Sequence, residues 1–391
     1  MEIKDIYTEF GYRDFGPLMF GFCKWLEREM RAEDITKVFF LSRDGFFMKK
    51  VFDAVTVAEF DTHYLYASRR LLQVASICDK QTYENTVQTM YFPRTFKGSK
   101  LIKAWGCSTL LNEASVELKE KIINRNNLLD ETEFKAFFEE NRDEIIKNSL
   151  EEKRALIDYL KENSFEGKLA IVDIGWFGNM QNSLETILSN CDIDCEIYGY
   201  YLGVNPESNY FAKYKMRGFM FEPGKYEAFY KKEQFFENVL EVLFSAPHGS
   251  AVKYYYDGDE IKVQLEDSKY ITTESFGNIK KIQDGAYEYC CDKVNGNNDI
   301  DEDTWEVSIH NIYRSLTYPK KKILDSVGEL CLDEEEPVKL INARTTRYYI
   351  IHPKQFIRDF IDSYWKVGFM KKVIKLNLPY ASILAKAKAM F

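Results

Sequence analysis

Three apolar runs end in residues suited to holding phosphate and hydroxyl groups. The longest runs from Leu169 to Leu188, LAIVDIGWFGNMQNSLETIL. Four apolar residues lead to Asp173, Gly175 and Gly178 follow, and a helical pattern starts near Asn179. A strand that ends in an acid, a glycine-bearing loop and a helix N-terminus together make a phosphate cradle. The free N–H groups of the first helical turn and the helix dipole both favour an anion there. Glycine lets backbone come close to a ligand, and the acid is placed to bond sugar hydroxyls. The stretch lacks the Gly-Lys-Ser/Thr of a Walker loop and the glycine spacing of a dinucleotide fingerprint. The competing explanation is a tight strand-to-helix turn with Asp173 as a helix cap.

The second run, Val38–Leu41, leads into Ser42-Arg43-Asp44-Gly45. Arg43 can fork onto a phosphate, and Asp44 can bind a metal or a hydroxyl. The alternative is that Asp44 caps the next helix and Gly45 turns the chain. FLSRDG differs by one residue from the FLDRDG loop of an aspartate-nucleophile phosphatase, with Ser42 at the nucleophile's place. The third run, HYLYASRR, reads as a strand ending in Ser68, Arg69 and Arg70, which serve either an anion or surface ion pairs. Together the three ends suit a ligand with two separated phosphate groups and a diol between them. FFENVLEVLFSAPHGS adds Glu237 and Glu241, one helical turn apart, either of which could be a general base toward an acceptor hydroxyl. His248 follows in a loop, and a lone histidine is more often structural. No GxSxG elbow occurs.

The elements that must carry these residues alternate. Residues 17–31 read as an amphipathic helix with Pro17 in its first turn. Buried-strand patterns at Val38–Leu41, HYLYASRR, KLAIVD and CEIYGYYLGV, separated by helical stretches, predict a doubly wound α/β sheet. Residues 71–164 read as a helical insertion with one loop, YFPRTFKGSK. KYEAFYKKEQFFENVLEVLF reads as a helix and AVKYYYDGDEIKVQLE as a hairpin turning at Asp257-Gly258. The organisation expected is a core over residues 1–255 with the insertion at about 71–164. A hairpin and a mainly helical region then fill 256–391. DEEEP and NGNNDIDEDT read as solvated loops.

The 391 residues carry a net charge of −9, which argues against a general nucleic-acid binder. The eight cysteines show no zinc-like spacing. Reduced core thiols and a cytoplasmic location are therefore expected. The charged start MEIKDIYTEF lacks the apolar segment of a signal peptide, and no apolar run is long enough to span a bilayer.

GPLMFGFCKWL, FFLSRDG, YLYASRR, VDIGWFGNMQ and ENVLEVLFSAPH, in this order, resemble the glycan phosphoribosyltransferase domain of bacterial surface-polysaccharide proteins such as those of O-antigen and capsule synthesis. That domain usually follows a haloacid-dehalogenase-type phosphatase domain. The resemblance covers roughly residues 12–255. It implies a phosphoribosyltransferase-like, Rossmann-like fold. It also implies transfer of ribofuranose 5-phosphate from 5-phosphoribosyl-1-pyrophosphate (PRPP) to a glycan, with Mg²⁺ as cofactor. A separate phosphatase would then remove the 5-phosphate, and the acceptor would be lipid-linked.

In this frame Asp44, Asp173 and Glu237 are the catalytic candidates. Ser42, Arg43, Gly45, Ser68, Arg69 and Arg70 would hold pyrophosphate. Gly175, Trp176, Gly178, Asn179 and Gln181 would form the PRPP loop, and Glu241 and His248 would meet the acceptor. Asp173 and Gly178 keep the spacing of ordinary phosphoribosyltransferases, whereas Val172, Asn179 and Met180 depart from it. A divergent phosphatase and a non-catalytic glycan-assembly module are the competing classes. No spacing names a protein metal site. Finally, residues 366–391 hold six lysines and no acid. This basic amphipathic segment, split by Pro379, is expected either to touch the inner face of an anionic membrane or to pack on the domain.

Overall fold

A computed structural model describes residues 5–57, 59–90, 92–296, 305–334 and 336–389. Five strands form one parallel sheet: β1 (Lys37–Leu41), β2 (Asp61–Leu65), β3 (Gly167–Trp176), β4 (Cys195–Val204) and β5 (Lys215–Gly218). Their order across the sheet is β2-β1-β3-β4-β5. The chain moves outward from β1 to β2 and then restarts on the other side of β1. Such a reversal leaves a crevice at the carboxyl ends of the two central strands, the usual ligand position in open α/β sheets.

Alternation along each strand assigns residues to two faces. Val38, Phe40, Ala170 and Val172 share a core with α1 (Gly16–Ala32) and α2 (Gly45–Val55). Phe39, Leu41, Leu169 and Ile171 face α3 (Arg69–Ala75), α4 (Arg142–Glu162) and α5 (Asn179–Leu188). Both faces are covered, which is why these strands read as continuous apolar runs. Between α3 and α4 the insertion has its own core, built around Tyr83, Trp105, Leu110, Phe134 and Phe138.

Several expectations need correction. The β2 strand stops at Leu65, and Arg69 and Arg70 begin α3, with Ser68 as its cap. YFPRTFKGSK is not all loop, because Thr95–Lys97 pairs antiparallel with Ile122–Asn124. The helix expected over KYEAFYKKEQFFENVLEVLF is two, Glu227–Glu233 and α6 (Glu237–Leu243). Phe236 leaves helical φ at −145°, and the break buries both Phe235 and Phe236. The hairpin of β6 (Ala251–Asp257) and β7 (Glu260–Leu265) pairs Asp257 with Glu260, so its two-residue turn is Gly258-Asp259. It spans the expected boundary at 255/256.

The core on the α1 face also takes in residues of α7 (Glu274–Asn295) and of the far C-terminus, among them Ile282, Trp365, Phe369 and Tyr380. All eight cysteines are unpaired. NGNNDIDEDT lies outside the described residues beyond Gly296. Among the described residues no helix is long and apolar enough to cross a membrane.

Candidate functional site

The loops after β2, β1 and β3, three neighbouring strands, open on one cleft of ≈ 880 Å³. The β1 loop contributes Ser42, Arg43 and Asp44, and the start of α3 contributes Ser68, Arg69 and Arg70. The β3 end supplies residues 173–180. α6 adds Glu241, and the insertion adds Lys103 and Ser108. Leu332, Asp333 and Glu334 close the far side.

Neither acid is used as a helix cap. Asp44 precedes α2 without a side-chain bond to its N–H groups, and the N-cap of α5 is Gly178, which has no side chain. Gly175 and Gly178 are required here. Their φ values are +98° and +74°, and a Cβ would lie 2.6 Å from Tyr201 Cβ and 2.4 Å from Met216 Cε respectively. The first-turn N–H groups of α5 are thus left without a side-chain cap beside the cleft.

Asp44 and Asp173 share a hydrogen bond. Burial and the neighbouring Asp173 charge hold Asp44 well above the ordinary carboxylate range. Asp173 is pushed up to about 6 by burial, against the pull of the Ile174 N–H, Arg69 and Asp44. Two like charges this close cannot both ionise cheaply, so Asp44 keeps the proton and donates it to Asp173.

The basic residues divide. Arg70 grips Glu152 of α4 through both nitrogens, at 2.5 and 3.0 Å, and also donates to the carbonyls of Val252 and Gly106. Its side chain is consumed in holding three elements together. Arg69 is exposed, and it makes no side-chain hydrogen bond or ion pair among the described residues. Arg43 Nη1 pairs with Asp333 Oδ2 at 2.7 Å. DEEEP was expected to be solvated, but its first residue reaches into the site. Ser42 Oγ donates to Ala67 O at 2.8 Å, and Ser68 Oγ donates to Ala251 O at 2.6 Å and accepts from Leu71 N. Both hydroxyls thus brace the loops.

The two glutamates separate as well. Glu241 lines the cleft, and the Trp176 indole N–H donates to its Oε1 at 2.8 Å. Burial raises its pKa, with Trp176, Arg69 and Arg43 opposing. Glu237, one turn away, is outside the lining. Burial and Glu241 push it up to about 7. Glu233, which the sequence did not single out, is fully buried, and neither carboxyl oxygen has a partner among the described residues.

Three further candidates also stand apart. Gly45 begins α2 against Phe40. Gln181 is fully buried, accepting from Tyr201 OH at 2.9 Å and donating to Ile197 O at 3.2 Å. His248 donates from Nδ1 to Gly249 O at 2.8 Å, because a carbonyl only accepts. Its Nε2 then accepts from Tyr64 OH at 2.7 Å. Both ring nitrogens are occupied, burial lowers the pKa, and the ring is not in the lining.

Sequence reasoning missed Lys103, Ser108, Glu266, Tyr270, Asp333 and Glu334, which enter the cleft from distant elements. None carries a local pattern that marks it. Among the described residues no three His, Cys, Asp or Glu side chains converge to hold a metal ion. Compared with known proteins, the chain matches no family model and no curated sequence.

Proposed function

We propose that this protein is a phosphoribosyltransferase that moves ribofuranose 5-phosphate from PRPP to a glycan hydroxyl in bacterial surface-polysaccharide synthesis. The observation that carries the reading is the convergence of three strand-end loops on one cleft, with Arg69 unpaired among the described residues, Arg43 in a partly exposed ion pair, a carboxyl pair and an uncapped helix start. PRPP has the matching parts: a 5-phosphate, a 2,3-diol and a pyrophosphate.

In this reading the N–H groups at the start of α5 hold the 5-phosphate. Asp173, with Asp44 behind it, accepts from the ribose hydroxyls. Arg69 and Arg43 bind the pyrophosphate and stabilise charge as it leaves. Glu241, aimed by Trp176, takes the proton of the acceptor hydroxyl. The acceptor oxygen bonds to C1, and the C1–O bond to pyrophosphate breaks with its electron pair on the leaving oxygen. The product keeps its 5-phosphate, and a separate phosphatase would remove it.

The donor set fits Mg²⁺, which is held through one or two carboxylates together with substrate phosphates rather than by an all-protein cage. Asp173 and Asp44 are the residues that would hold it. When bound it neutralises charge on the pyrophosphate.

The test is incubation of the protein with PRPP, Mg²⁺ and candidate acceptor glycans, followed by mass analysis. Added ribose phosphate with release of pyrophosphate is expected. Inorganic phosphate released from a sugar phosphate would assign the cleft to a phosphatase. Binding of glycan without either product would make the chain a non-catalytic module.

A further inference from the structure

The far C-terminal region carries charge opposite to the rest of the chain. Residues 344–389 hold ten Lys and Arg against two acids, Asp359 and Asp362, within a protein of net charge −9. The region forms α8 (Thr346–Ile351), α9 (Pro353–Asp362), α10 (Lys366–Ile374) and α11 (Tyr380–Lys388). Its apolar residues do not all point inward. Val367, Phe369 and Val373 of α10 are buried. By contrast Ile350, Ile351, Ile357 and Ile361 are 76%, 65%, 58% and 63% exposed.

The α9 helix has two different apolar sides. Phe356 and Phe360 pack on Phe369, with ring centroids 5.5 and 5.9 Å apart. This side fixes the helix to the protein. Ile357 and Ile361 lie one turn apart on another side, and helical spacing puts Lys354 and Arg358 beside them. All four are exposed. Of the two acids of α9, Asp359 is tied to Arg344, Tyr349 and Gln355, and the exposed Asp362 sits at the end of the helix beside Lys366.

We infer that this isoleucine-and-cation face of α9 docks on the surface of an anionic lipid bilayer. Large apolar side chains set among cations of one sign are what an interfacial helix presents to acyl chains and anionic headgroups. Protein interfaces have the opposite composition, with Lys depleted and charge scarce at the core. The helix is already held by its phenylalanine side, so docking needs no unfolding. The surface lies ahead of the segment that sequence alone singled out, because α10 spends its apolar residues on the core.

The test uses the full chain in vesicle co-sedimentation. Binding is expected to vesicles of phosphatidylglycerol and phosphatidylcholine in equal parts at low ionic strength. It should be lost at high ionic strength and absent with phosphatidylcholine alone. The double variants I357S/I361S and K354E/R358E should each bind about tenfold more weakly, with unchanged melting temperatures because all four side chains are exposed. No binding to the anionic vesicles, or equal binding by either variant, overturns the inference. So does a dimer in ultracentrifugation that I357S/I361S dissolves while vesicles stay unbound, since it gives the face to a second copy. None of these outcomes bears on transfer from PRPP.

Discussion

The Arg43 guanidinium, the cation nearest the candidate carboxyl pair in sequence, is held by Asp333 from a loop 290 residues away, at 2.7 Å. The two side chains are partly exposed, so the pair is worth only ~1 kcal/mol. A pyrophosphate, with more charge, would displace the aspartate. Asp333→Asn is therefore expected to lower the KM for PRPP by about two- to fivefold, with kcat little changed. Steady-state kinetics over a PRPP series check this. A higher KM would mean that Asp333 organises the donor instead of competing with it.

Adjacent arginines should fail in different ways. Arg69→Ala removes an exposed cation that makes no side-chain hydrogen bond or ion pair among the described residues, so melting should move little. Loss of a charged hydrogen bond of ~2 kcal/mol should weaken PRPP binding about 30-fold. Arg70→Ala strands the buried Glu152 carboxylate. It should cost about 3 kcal/mol of stability, visible as a lower melting temperature before any donor is added. Calorimetric titration and thermal melts on both variants decide it. Identical behaviour would refute the division.

The carboxyl pair makes stability fall with rising pH. Asp173 titrates near 6 in the folded protein and near 3.8 in the open chain. The folded state thus holds the extra proton between those values. The corresponding stability is complete below about 3.8 and lost as pH climbs through about 6. Asp173→Asn should flatten the pH dependence of stability across that window and raise stability above it, by on the order of 3 kcal/mol. It should also abolish transfer. A steeper pH dependence in the variant would contradict the shared proton.

Much of the site could be read from order alone. Asp173, Gly175 and Gly178 stand out because a parallel strand buried on both faces is an unbroken apolar run, and what ends it is conspicuous. Asp44 stands out for the same reason, whereas Arg69 follows the part-exposed edge strand β2 and is marked only by its charge. What local sequence does not carry is the partner. Arg70 looks like Arg69 until Glu152, 82 residues on, claims it. Gln181 and His248 look like ligand contacts only until Tyr201 and Tyr64, each from another element, satisfy their polar atoms. Asp333 sits in an acidic run that has no feature to distinguish it from a solvated loop. The separation of Glu241 from Glu237 depends on which side of α6 meets Trp176, and helical spacing alone leaves that open.

Arg70 also limits how the cleft can move. Its one side chain fastens α4, the carbonyl of Gly106 in the insertion and β6 to the first turn of α3. The wall formed by the insertion is in this sense a fixed jaw, welded to the sheet at the rim of the cleft. The wall at Asp333 is tied to the β1 loop by a solvent-touched ion pair, Arg43 to Asp333. The strand at the base of that wall is itself anchored, because Cys331 accepts from Tyr270 OH and donates to Ser275 Oγ, so what the ion pair leaves free is the tip at Asp333 and not the wall as a whole. Breaking that one ion pair would therefore open the rim of the cleft at Asp333 without disturbing the Arg70 anchor.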